Sequence, residues 1–133
     1  MIVVLDTNVW ISALQFAKAY GTPTRALAKA MSQDVIATAD EIEQEILRVL
    51  TEKFSWNPKR AHLALQMVLA RSIHVSLRGT VKKSRDPHDD KFLECAALAH
   101  ADFLIAGDKD LLVLKSFAGT PIITPAEYLA MEP

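Results

Sequence analysis

The 133-residue chain has a single cysteine, no surplus of either charge and no long apolar run, and each shortage removes a class of protein. Cys95 alone cannot close an internal disulfide, so the chain does not read as a small secreted scaffold, and a reduced, cytoplasmic setting is expected. Fifteen basic residues against sixteen acidic ones leave no bulk charge to recruit nucleic acid, so any such affinity must come from where the charges sit. No segment approaches the roughly 20 apolar residues that cross a bilayer, and no membrane association is expected. The apolar amino terminus lacks a basic lead-in and is interrupted by Asp6, unlike a signal peptide. A Gly-rich phosphate loop and a Gly-x-Ser-x-Gly nucleophile motif are also missing, which argues against P-loop nucleotide hydrolysis and serine-hydrolase chemistry. The four histidines, His62, His74, His88 and His100, show no paired ligand spacing and read as surface or boundary residues; only His88 stands beside acids.

Half of the residues are hydrophobic, enough for one packed domain over residues 1–133. Val3–Leu5 form a short run of bulky apolar residues with no polar face, the mark of a strand buried on both sides. Four further apolar runs read as strands: 35–39, 73–77, 102–106 and 121–124. Helical patterns separate them. Thr38 and Glu41 have capping-box spacing and open a helix to about Phe54; Asn57-Pro58 opens another to about Arg71. Asp86-Pro87 leads into a third reaching about Ala101, and Thr124-Pro125 with Glu127 opens a short last one. Strands alternating with helices imply crossover connections. The expected architecture is a three-layer α/β/α sandwich around a mostly parallel, five-stranded sheet. Residues 78–90 look like a surface loop within it.

The acids gather after strands and at helix starts: Asp6, Glu45, Asp89 with Asp90, and Asp108 with Asp110. Singly, each has an ordinary explanation, such as capping for Asp6 and Asp108. Glu45 is mid-helix, at the edge of the stripe formed by Ile42, Ile46, Val49 and Leu50. Jointly they are harder to dismiss. In a parallel sheet the loops after the first and fourth strands open on one side, so Asp6 and Asp108 can converge there. Carboxylates crowded in a partly dry cleft repel one another unless a hard cation neutralises them, and oxygen ligands suit magnesium or manganese better than zinc. Such a site cleaves phosphodiesters without a protein nucleophile.

Nine of the fifteen Lys and Arg lie between residues 48 and 85, opposed only by Glu52. Arg78, Lys82, Lys83 and Arg85 lead directly into the acids, so Lys82, Lys83 and Arg85 are candidate contacts for a phosphate backbone. Trp56 is a candidate for stacking on a base or for covering the core.

The stretches "VVLDTNVWISAL", "EQEILRVL", "RDPHDDKFLECAALAHADFLIAGDKDLL" and "IITPAEYL", in this order and spacing, resemble the PIN (PilT N-terminal) domain family of metal-dependent ribonucleases, especially the VapC-like toxins of bacterial toxin-antitoxin pairs. The resemblance implies that Asp6, Glu45, Asp90 and Asp108 hold Mg2+ or Mn2+ and carry catalysis, with Asn8, Asp110 and Asp89 supporting them. It chooses Asp90 over Asp89 by the distance to "GDKD"; helical periodicity leaves the two equivalent. It also implies an RNA substrate, a homodimer and a small inhibitory antitoxin partner. One departure is Ala106, where the family often has Thr or Ser, which favours the alternatives of an idle RNA- or partner-binding module. A nuclease directed at DNA is the remaining alternative.

Overall fold

In the computed structural model, which describes residues 1–131, Val3, Val4 and Leu5 are at most 1% exposed within β1 (Ile2–Leu5). The chain continues through α1 (Thr7–Gln15), α2 (Thr22–Gln33), β2 (Val35–Thr38), α3 (Asp40–Lys53), α4 (Pro58–Val68) and β3 (Ile73–His74). After a long connection come α5 (Asp90–Leu98), β4 (Phe103–Ile105), α6 (Lys109–Leu112), β5 (Ser116–Phe117), β6 (Thr120–Ile123) and α7 (Pro125–Ala130).

The strands lie in the order β3-β2-β1-β4-β6-β5. The first five in that order are parallel, and β5 pairs antiparallel to β6. Helices pack around this sheet: α5 against β1, β2 and β4, and α1 against both α2 and α3, with α7 on α2. This is the three-layer α/β/α arrangement that alternating strands and helices demand. The sheet has six strands rather than the expected five. The addition is the β5–β6 hairpin, whose turn residues Ala118 and Gly119 both have positive φ, 50° and 84°. Two-residue hairpins need that geometry, but Ala-Gly lacks the Asn-Gly or Asp-Gly signal that announces it.

Two local expectations give way to tertiary contacts. Thr38 stays in β2, paired with His74, so α3 begins at Asp40 without a side-chain cap and the Thr38–Glu41 capping box is not made. The Thr38 hydroxyl is buried with no hydrogen-bond partner. The strand expected at 73–77 ends at His74, and the chain then folds over α5. It is held there by Glu94, which accepts from the backbone N–H of Arg78 (2.6 Å) and Gly79 (3.0 Å).

The order of connections places the site. From β1 the chain moves outward through β2 to β3, then returns across the sheet to β4 on the other side of β1. The direction of winding therefore reverses between β1 and β4, and in open parallel sheets the crevice beyond the carboxyl ends at such a point is where ligands bind. Asp6 follows β1 and Asp108 lies just beyond β4.

Candidate active site

Asp6 ends β1 and caps α1. Its Oδ1 accepts from Val9 N–H at 2.9 Å, while Oδ2 accepts from Gly107 N–H at 3.0 Å and Asp108 N–H at 3.3 Å. The carboxylate is therefore both a helix cap and a clasp between the β1 and β4 loops. It is 2% exposed. Burial raises its pKa to about 6, against the pull of those three N–H donors, and the neighbouring Asp108 charge adds to the rise. Asp108 caps α6 by accepting from Asp110 N–H at 2.8 Å.

The two consecutive acids at the start of α5 part company. Asp89, in a single 3-10 turn (Pro87–Asp89) capped by Asp86, turns into the cleft. Carboxylate oxygens of Asp89, Asp108 and Asp110 lie within 4.8 Å of one another. Asp89 Oδ2 is buried with no hydrogen-bond donor. Burial raises the Asp89 pKa to about 7, helped by the adjacent Asp108 carboxyl and by the charges of Asp108, Asp86 and Asp6. Asp90 faces away: its Oδ1 accepts from the N–H groups of Lys83 (3.0 Å) and Ser84 (2.7 Å), and it lines a separate cavity. The geometry thus brings Asp89, not the Asp90 favoured by motif distance, to Asp6 and Asp108. The 3-10 turn ahead of α5 is the reason, because it rotates residue 89 toward the strand ends and leaves residue 90 facing the 78–85 loop.

Glu45 comes in from α3 and lines the same cleft, which encloses about 390 Å³ with Asp6, Thr7, Asn8, Arg48, His88, Asp89 and Asp108 among its walls. Its Oε2 accepts a hydrogen bond from the Thr7 hydroxyl and pairs with Lys91 Nζ at 3.2 Å. Asn8 is exposed at the rim. Asp110 pairs with Arg85 at 3.0 Å. Ala106 is fully buried and brings no hydroxyl, whereas Thr7 brings one into the cleft, a residue that sequence patterning passed over although it sits in "LDTN".

The basic residues divide. Arg48 and Lys53 line the acidic cleft, Lys82 lines the adjoining cavity, and Lys83 and Arg85 are exposed. Trp56 is half-buried against the core, its ring covered by the Arg60 guanidinium at 4.1 Å and its Nε1 donating to Gln15; that face is taken and does not offer a base a platform. Cys95 is fully buried, and burial pushes its thiol up to about 12, so it is no nucleophile. A second mixed group lies away from the cleft, where His74 Nε2 meets Asp40 at 2.9 Å and Glu43 at 3.4 Å and ties β3 to the start of α3.

A parallel α/β/α fold with carboxylates crowded at its switch point, one of them with an orphaned buried oxygen, has the donor set of a hard-cation site. The sequence profile of the PIN domain matches residues 2–110, and the chain belongs to the PIN domain family, whose members are typically nucleases that use divalent metals. In structure the chain is similar to the VapBC2 complex of Rickettsia felis bound to a DNA fragment from its promoter. The TM-score is 0.61 at 14% identity, covering 92% of this chain and 97% of that one, a likeness of fold. No curated protein sequence matches the chain. Among the described residues, no helix is long and apolar enough to cross a membrane.

Proposed function

We propose that this chain is a magnesium- or manganese-dependent endoribonuclease acting in the cytoplasm, the toxin component of a toxin-antitoxin pair. The observation that carries this reading is the cluster of Asp89, Asp108 and Asp110 carboxylates beyond the strand ends, beside Asp6 in the same cleft, with Asp89 Oδ2 buried and without a donor. A buried oxygen of that kind is costly unless a proton or cation satisfies it, so the residues present fit a divalent ion.

Asp6, fixed by three backbone donors, Asp89 and Asp108 would hold the ion, with Asp110 and Asn8 at its margin. The bound ion supplies charge for the phosphoryl group and lowers the pKa of its water. The chain's own residues do the rest. Glu45 and Thr7 shape the opposite wall. Arg48 and Lys53 draw the phosphate backbone into the cleft, and Lys82, Lys83 and Arg85 extend that attraction along the adjoining loop. The likeness to a VapBC2 assembly supports a small antitoxin partner, and a homodimer is part of the same proposal.

The test is cleavage of matched labelled RNA and DNA strands by wild type and Asp6→Asn, with Mg2+, Mn2+ or excess chelator. Cleavage of RNA only, lost in chelator and in the variant, is expected. Turnover that persists in chelator overturns the metal dependence, and preference for DNA overturns the substrate. The missing hydroxyl at Ala106 favours a second reading, a module that binds RNA or a partner without turnover; RNA binding by a manganese-loaded preparation that cuts nothing would establish it.

A further inference from the structure

The acids around the cleft do not share one electrostatic condition. Among the described residues, no cationic side chain lies within ion-pair distance of Asp6, Asp89 or Asp108, and the nearest paired acid of that cluster is Asp110, held by Arg85. Glu45 is already neutralised. Its Oε2 holds both the Thr7 hydroxyl and the Lys91 ammonium, and the two side chains of the Lys91–Glu45 pair are only 16% and 19% exposed. Lys91 also donates to the His88 carbonyl and lies 5.0 Å from the centre of the Phe92 ring, so the ammonium is fixed on three sides.

Its position is unfavourable for the helix. Lys91 is the second residue of α5, where the helix dipole repels a positive charge and Asp or Glu is preferred. A long cationic side chain ordered there, half out of water, is stabilised by what it meets across the cleft rather than by its own helix. What it meets is Glu45.

We infer that the cleft takes a single divalent ion, on the Asp6, Asp89 and Asp108 side, and that Lys91 is a positioning residue that occupies the place of a second cation beside Glu45. This rests on the metal-site reading above and goes further, since it settles the number of ions and removes Glu45 from the ligand set. For a second ion to bind Glu45, the Lys91 ammonium would have to leave it, and that ammonium would then be unpaired beside a dication in a partly dry site. Lys91 thus limits the cleft to one ion, while keeping positive charge at the wall opposite the ion.

The test counts ions and does not depend on cleavage. Equilibrium binding of Mn2+ at pH 8, read by electron paramagnetic resonance of the free ion, is compared in wild type, Lys91→Met, Lys91→Arg and Glu45→Gln, each first shown to melt cooperatively. One ion per chain is expected for wild type, Lys91→Arg and Glu45→Gln, and two for Lys91→Met, the second weaker. Two ions in wild type, one in Lys91→Met, or loss of the ion in Glu45→Gln overturns the inference and leaves the nuclease reading standing. No ion in wild type removes the metal reading itself. Lys91→Arg and Glu45→Gln keep the test decisive if Lys91→Met fails to fold.

Discussion

Asp89 and Asp90 are adjacent in the chain, 8% and 9% exposed, and opposite in circumstance. Asp90 receives two backbone N–H donors from the 78–85 loop; Asp89 has an oxygen with no donor at all and two further carboxylates as neighbours. Glu94 belongs with Asp90, its two oxygens taken by Arg78 and Gly79 N–H. The difference separates two uses of a buried acid. One kind closes a loop and is satisfied by the fold alone. The other is left in deficit, and a fold tolerates a deficit of that kind where a ligand removes it.

Exchanging the members of the pair breaks the comparison most sharply. Asp89→Asn should lower RNA cleavage by at least about 100-fold, measured as initial rate at saturating Mn2+, with the fold intact by circular dichroism. Full activity in that variant would move the site back to Asp90. The ion-free protein should also respond to pH. The folded pKa values of about 6 for Asp6 and about 7 for Asp89 lie above the ordinary 3.8. The folded state therefore retains protons that the unfolded chain has released, so stability is fully present below about pH 4 and is lost as pH rises through 6 to 7. Melting in chelator at pH 5 and pH 8 checks the sign, and Mn2+ at pH 8 should restore what is lost.

Asp90→Ala should act on stability instead. It strands the Lys83 and Ser84 N–H groups and costs about 1 to 3 kcal/mol, read from urea unfolding, while Mn2+ affinity is retained. Loss of the ion with the fold unchanged would erase the distinction between the two acids. The smallest effect belongs to the loop that Asp90 secures: replacing Lys82 and Lys83 by Ala should weaken RNA binding several-fold and reduce the salt slope by about 2 if both meet phosphates. An unchanged slope would transfer that role to Arg48 and Lys53.

Much of this was legible in the residues. The buried run Val3–Leu5, the strands near 35–38, 103–105 and 120–123 and the helix starts at Pro58 and Pro125 carry their signals locally, in apolar runs, proline and capping side chains. Asp6 and Asp108 were legible because the first directly follows a strand and the second lies just beyond one. The β5–β6 hairpin was not, because its turn uses Ala118 in a conformation that alanine rarely adopts. The missing Thr38–Glu41 box and the shortened β3 were hidden too, since strand pairing to His74 and the pull of Glu94 act across tens of residues.

Local chemistry in the chain determined the alternation of strands and helices, and hence a parallel sheet with acids at one of its edges. It could not decide which acid faces which. Asp89 and Asp90 have the same chemistry and neighbouring positions, and only the 3-10 turn before α5, the loop amides waiting for one of them and the ammonium of Lys91 reaching to Glu45 distribute the roles. Those contacts join segments distant in the chain, and a side chain's partners there exist only once the chain has closed on itself.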